Sequence, residues 1–98
     1  MQKRIFEVTD KTGRKIYLSA ERWSHIRKRH PEVDDMELMK ETLEHPDRVT
    51  DYSFDEDVRY YYKFYKYRKS PNKYLQIVVK YLNDHGFIIT AQFKNHIK

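Results

Sequence analysis

Residues 74–94, YLQIVVKYLNDHGFIITAQFK, constrain the fold more than any other stretch, because two long β-prone apolar runs flank a few turn-forming residues. Residues 83–87 fit a three-residue loop, Asp84-His85-Gly86, with Gly86 in the left-handed conformation that closes such hairpins. That register sets Asn83 opposite Phe87, Tyr81 opposite Ile89, Val79 opposite Ala91 and Ile77 opposite Phe93, which gathers one apolar face. The other face pairs Lys80 with Thr90, Val78 with Gln92 and Gln76 with Lys94. A slip of one residue would mix the two sets. A hairpin with one dry face needs a layer to cover it, and the remaining residues must supply that layer.

The segments before it provide the pieces. Residues 4–8 and 14–18 alternate around Lys11-Thr12-Gly13, a smaller hairpin with Phe6 opposite Leu18 and Val8 opposite Ile16. Ser19 is an N-cap for a helix running through Trp23 and Ile26 to His30, stopped by Pro31. Trp23, Ile26 and His30 share its apolar stripe, while His25 lies away from it near Arg22 and Arg29. A second helix starts at Asp34 or Asp35, repeats Met36, Met39 and Leu43, and ends at Pro46. Residues 49–54 form a short strand and 55–57 a charged turn. In the strand that follows, Val58, Tyr60, Tyr62 and Phe64 face one way and Arg59, Tyr61, Lys63 and Tyr65 the other. Ser70-Pro71-Asn72 returns the chain to the central hairpin. The expected class is α+β: an N-terminal β-hairpin, two helices, then an antiparallel sheet of three to four strands with the helices on one face.

At 98 residues the chain suffices for one core, so residues 1–98 are expected to form one domain. Charged residues make up 36%, yet the aromatic content of 15% is unlike a disordered chain. No cysteine is present, which excludes disulfides, thiolate metal sites and a cysteine nucleophile. No apolar run reaches the roughly 20 residues of a membrane span, and the polar start is unlike a signal peptide, so a cytoplasmic location is expected. The net charge of +5 conceals an asymmetry: residues 32–57 hold eleven acids against Lys40 and Arg48 alone. The remainder is strongly basic and suits a polyanion, whereas the acidic stretch also reads as an ordinary solvated surface.

Several pieces together resemble a family: Trp23-Ser24-His25-Ile26, Arg29-His30-Pro31-Glu32, Thr42-Leu43 with Pro46-Asp47, and Ile77-Val78-Val79-Lys80 with Ile88-Ile89-Thr90-Ala91. Over about residues 17–95 the sequence is similar to the small phage-associated branch of the Barnase, EndoU, colicin and RelE-like nucleases, the BECR fold. The resemblance implies a metal-independent ribonuclease, of a kind that includes toxins, which cuts RNA through the adjacent 2′-hydroxyl without a cofactor. Catalytic roles carry over to the positions that match the branch motif: His25, His30, Lys80 and Thr90. An antitoxin or immunity protein is an implied partner besides RNA.

The chemistry supports those residue types. Cleavage through the 2′-hydroxyl needs a base, an acid and cations for the charged phosphorane; histidine, with an unperturbed pKa of about 6.5, suits the first two. Tyr61, Lys63, Tyr65, Gln92 and Lys94 would widen the RNA-binding surface, tyrosine rings serving as stacking platforms. Plainer readings stand beside these: His30 capping a helix, His25 on the surface, Lys80 and Thr90 as an ordinary cross-strand pair, and the tyrosines as core. A metal site from His25, His30, Glu32 and Asp34 is disfavoured by the five-residue histidine spacing. Two other functions remain open, a non-catalytic RNA-binding module and a protein-interaction subunit using the acidic helix and strand edges.

Overall fold

The structure is a computed structural model that describes residues 3–97. The first hairpin joins β1 (Arg4–Thr9) to β2 (Lys15–Ser19), with Phe6 opposite Leu18 and Val8 opposite Ile16. Gly13 closes its turn at φ +90°, where a side chain would be strained. Ser19 then caps α1 (Ala20–Arg29), its hydroxyl accepting from the Arg22 N–H at 3.1 Å. Asp35 does the same for α2 (Met36–Glu44), accepting from the Glu37 N–H at 2.9 Å. Next come β3 (Arg48–Tyr52), β4 (Asp55–Phe64), β5 (Tyr74–Tyr81) and β6 (His85–Lys94).

The α+β class holds, but the expected sheet of three to four strands is a single six-stranded sheet in the order β1-β2-β6-β5-β4-β3. The N-terminal hairpin belongs to it because β2 runs parallel to β6, Tyr17 opposite Phe87. Parallel neighbours need a crossover, and the two helices with β3 to β5 provide it. Residues so far apart leave no local signal of their pairing. Both helices cover one face, α1 over β6, β2 and β1, and α2 over β1, β5 and β4. Beneath them lie Ile26, Met39 and Leu43 with Ile16, Leu18, Leu75 and Ile77, all 0–1% exposed. Among the described residues no helix is long and apolar enough to cross a membrane.

The central hairpin has a different register from the one the turn residues suggest. The chain reverses across Asn83-Asp84, the Leu82 N–H donating to the His85 carbonyl at 2.7 Å, and Tyr81 faces Gly86. Val79 pairs with Ile88 and Val78 with Thr90, which leaves Ile89 as the extra residue of a bulge. Tyr81, Val79, Ile77, Ala91 and Phe93 are buried as expected, but the bulge puts Ile88 in the core in place of Ile89. Gly86 has no positive φ; a Cβ there would lie 3.0 Å from the Tyr81 ring and 3.1 Å from Val79 Cγ1. Close approach, not backbone handedness, accounts for the glycine.

The strand β4 presents its tyrosines the other way round. Tyr61 pairs with Ile77 under the helices, its hydroxyl bonded to that of Tyr81. The Tyr65 hydroxyl donates to the Leu38 carbonyl of α2 at 3.0 Å. Alternation groups the tyrosines correctly but does not say which group is covered, and a hydroxyl with a partner makes tyrosine acceptable in the core. The helix-free face therefore carries Tyr60, Tyr62 and Phe64 from β4, Tyr74, Gln76, Val78 and Lys80 from β5, and Thr90, Gln92 and Lys94 from β6. Its middle is close-packed: Tyr62 is 0% and Gln76 3% exposed. Gln92 Nε2 donates to Gln76 Oε1 at 3.0 Å, and Gln76 Nε2 donates to the Tyr62 hydroxyl at 2.8 Å.

Candidate functional site

At Ser19 the strand β2 ends and the chain turns into α1, while β6 continues for several residues. Where the two part, a cavity of about 730 Å³ opens, lined by Lys3, Arg4, Tyr17, Ser19, Arg22, His85, Phe87 and Ile88. Three cations line it and, among the described residues, no carboxylate does. Arg4 lies over the Tyr17 ring at 3.7 Å and reaches Glu7 at 3.9 Å. Among the described residues, Lys3 and Arg22 have no carboxylate within 4.0 Å. The Tyr17 ring contacts that of His85 at 5.6 Å, and His85 Nδ1 lies 2.7 Å from Asp84 Oδ1. The hydrogen bond from His85 holds the Asp84 carboxyl below its ordinary value. An imidazole oriented by a carboxylate and facing three cations can exchange a proton beside a bound phosphate.

The helix α1 borders this region. Its 3.6-residue period puts Arg22, Arg29 and His25 within about 60° of one another, on the flank that reaches the cavity through Arg22. His25 is exposed, its Nε2 4.0 Å from Glu21 Oε1. His30 lies about 140° away around the helix. It is the C-cap, its N–H donating to the Ile26 carbonyl at 2.7 Å, with Nδ1 3.8 Å from Glu32 Oε2. The two histidines expected to act together thus lie on different flanks. A five-residue step imposes that.

Lys80 and Thr90 share the helix-free face as expected, but as diagonal neighbours, since Lys80 pairs with Phe87 and Thr90 with Val78. Lys80 Nζ donates to Asp55 Oδ2 at 2.6 Å; that bond raises the lysine pKa and lowers that of the aspartate. Of the residues expected to bind RNA, Gln92 and Lys94 are on this face. Tyr61, Lys63 and Tyr65 are on the other. Lys63 Nζ donates to the His45 carbonyl at 2.9 Å and closes the end of α2. Burial pushes the Tyr65 hydroxyl up to about 12.

Sequence reasoning missed Lys3, Arg4, Tyr17, Arg22 and His85 as a group. Their convergence depends on the parallel β2–β6 pairing, and the turn residues put His85 in a loop, whereas it opens β6. Among the described residues no group of three or more His, Cys, Asp or Glu side chains is arranged to hold a metal ion.

Comparison with curated proteins and with solved structures returned no significant match for either. Residues 3–98 match the family described as phage-Barnase-EndoU-ColicinE5/D-RelE like nuclease2, which covers the whole sheet and both helices. The cationic cavity on a one-sided sheet and this family match agree, and the chain belongs to that nuclease family.

Proposed function

We propose that the protein is a metal-independent ribonuclease that cleaves RNA by attack of the 2′-oxygen on the adjacent phosphorus. The observation that carries this reading is the cavity lined by Lys3, Arg4 and Arg22 together with Tyr17 and His85. The three cations hold the scissile phosphate and offset the charge that builds on its equatorial oxygens. One group takes the 2′ proton, the new P–O2′ bond forms as the P–O5′ bond breaks, and a second group gives a proton to the departing 5′ oxygen. The products are a 2′,3′-cyclic phosphate end and a free 5′-hydroxyl. His85, oriented by Asp84, and His25, one turn of α1 beyond Arg22, are the two histidines assigned to these transfers. Thr90 and Lys80 contribute a hydroxyl and positive field on the same face, Lys80 moderated by Asp55. His30 holds the end of α1 and so positions its flank.

The test is incubation of the purified protein with mixed RNA in EDTA, followed by analysis of fragment ends. Cyclic phosphate ends that disappear with His85→Ala support the reading. Intact RNA bound in a salt-dependent way turns it into a binding module.

A further inference from the structure

The helix-free face has two exposed aromatic groups, one at each end of the sheet, and their electrostatic surroundings differ. Tyr52 and Phe54, with ring centroids 5.5 Å apart, stand at the β3–β4 turn beside Asp55, Glu56 and Asp57. Phe64 and Tyr74, 5.0 Å apart and inclined at 59°, stand where β4 gives way to the β4–β5 connection. That connection, residues 65–73, carries Lys66, Arg68, Lys69 and Lys73 and no acid. Lys94 pairs with Tyr74 and completes the row on the same face. Phe64 is 45% exposed, although its backbone N–H is held by Asp47 at 2.7 Å. The ring is thus fixed at its backbone and open to solvent. Lys73 Nζ is turned to the carbonyls of Lys66 and Arg68, and Arg68 lies over the Phe93 ring. Among the described residues, however, Lys66, Lys69 and Lys94 have no carboxylate within 4.0 Å and leave phosphate contacts beside a stacking platform.

Building on the nuclease reading, we infer that Phe64 and Tyr74 form a base-stacking subsite for an unpaired nucleotide, and that the substrate is a single-stranded RNA segment running along β6 from the cationic cavity to Lys94. The direction follows from charge. From Phe87 at the cavity to Lys94 the strand rises roughly 23 Å at about 3.3 Å per residue, with Arg22 at its cavity end. The acidic start of β4, Asp55 to Asp57, lies on the far side of Lys80 from Phe87, two strands across from β6, and its carboxylates repel phosphate, so Tyr52 and Phe54 are not part of the track. At the stacked rise of about 3.4 Å per nucleotide the track accommodates about seven nucleotides. A base can stack on Phe64 only when it is free of a duplex.

The experiment measures binding separately from cleavage. Uncleavable 2′-O-methyl strands, a trinucleotide and one of about twelve nucleotides carrying 2-aminopurine, are titrated against the wild type, Phe64→Ala and Phe64→Trp. The expected result for Phe64→Ala is a loss of roughly 5- to 100-fold in affinity for the longer strand, loss of the fluorescence quench, and unchanged trinucleotide binding. Phe64→Trp should restore both signals, which a merely structural role for Phe64 would not produce. An unaffected long strand, or equal losses for both lengths, overturns the subsite. Phe64-dependent binding by a protein that cuts no RNA removes the catalytic reading and leaves the subsite standing; cleavage of long RNA that ignores Phe64 does the reverse.

Discussion

The Tyr81 hydroxyl donates to Asp10 Oδ2 at 2.7 Å, tying the end of β5 to the β1–β2 turn across a gap of 71 residues. Asp10 is only 7% exposed, and its other oxygen accepts from the Thr12 N–H, the Thr12 hydroxyl and the Arg14 N–H. The Tyr61 hydroxyl joins the chain, and Arg14 lies over the Tyr81 ring at 3.9 Å. The hairpin that supplies Arg4 and Tyr17 to the cavity is therefore locked to the central strands by a buried polar link. Tyr81→Phe leaves a buried carboxylate oxygen short of a donor and should cost about 1.5–3 kcal/mol in urea unfolding, with little change in sheet content.

The same link makes stability depend on pH. Burial pushes Asp10 up, but hydrogen bonds from Thr12, Tyr81 and the backbone of Arg14 outweigh it, so the folded carboxyl titrates below its ordinary 3.8. A lowered folded pKa gives stability that is present above the unfolded value and lost as pH falls through the folded one. Asp10→Asn should accordingly be less stable than the wild type at about pH 7, and the gap should narrow below about pH 4. Urea midpoints of both proteins across that range check the sign, and a gap that widens in acid would contradict it.

Gly86 and Gly13 should respond to alanine for different reasons. At Gly86 the new methyl meets the Tyr81 ring at 3.0 Å, and that ring is held by Asp10, Tyr61 and Arg14, so it cannot swing away. Overpacking of this kind costs about 1–3 kcal/mol. Gly13 has nothing within 4 Å of a built Cβ, and only its φ of +90° resists. Its cost is about 1–2 kcal/mol. Gly13→Asn should recover part of that loss and Gly86→Asn none, because asparagine tolerates positive φ but not a clash.

Which parts of this were legible in the sequence follows from the range over which each is determined. Caps and short hairpins are local: Ser19 and the Phe6–Leu18 pairing can be read directly, and the second cap is narrowed to Asp34 or Asp35, of which Asp35 is the one used. The register of β5 with β6 is not, because a two-residue turn with a bulge at Ile89 and a three-residue loop with none both keep most apolar residues on one face. The facing of β4 depends on which tyrosine hydroxyls find partners, Tyr61 with Tyr81 and Tyr65 with Leu38, and those partners come from distant segments. Only the α1 half of the site, Arg22, His25 and Arg29, is visible as a helical stripe; Lys3, Arg4 and His85 join it through the parallel pairing.

Asp55 should act as a brake on nucleic-acid binding. It takes the Lys80 ammonium at 2.6 Å, and both side chains are about one-third exposed, so the pair adds little to stability. Asp55→Asn is expected to change the unfolding free energy by less than about 1 kcal/mol. It should strengthen RNA binding and steepen the dependence of log K on log salt by about one unit, since Lys80 then meets phosphate instead of carboxylate. A salt slope identical to that of the wild type would place Lys80 outside the RNA contact.

The three histidines near the site separate by role. His85 faces the cavity with Asp84 behind it, and His25 shares a flank of α1 with Arg22 and Arg29; the proposed reaction assigns one proton transfer to each. His30 is turned about 140° from His25 and completes the end of α1 instead. Removing a general acid or base lowers rates by about 100- to 10,000-fold, whereas His30 closes α1 through its backbone N–H, which alanine keeps. His85→Ala and His25→Ala should therefore lose most RNA cleavage while keeping their RNA affinity and melting temperature. His30→Ala should keep the rate per folded molecule with a stability change of less than about 1 kcal/mol, since its side chain has only a 3.8 Å pairing with Glu32 to lose. Single-turnover cleavage below the melting transition, with unfolding measured in parallel, distinguishes these outcomes. A folded His25→Ala/His85→Ala double variant that cuts at the wild-type rate would move the chemistry away from the β2–β6 cavity, and loss of rate in folded His30→Ala would return that residue to the catalytic pair.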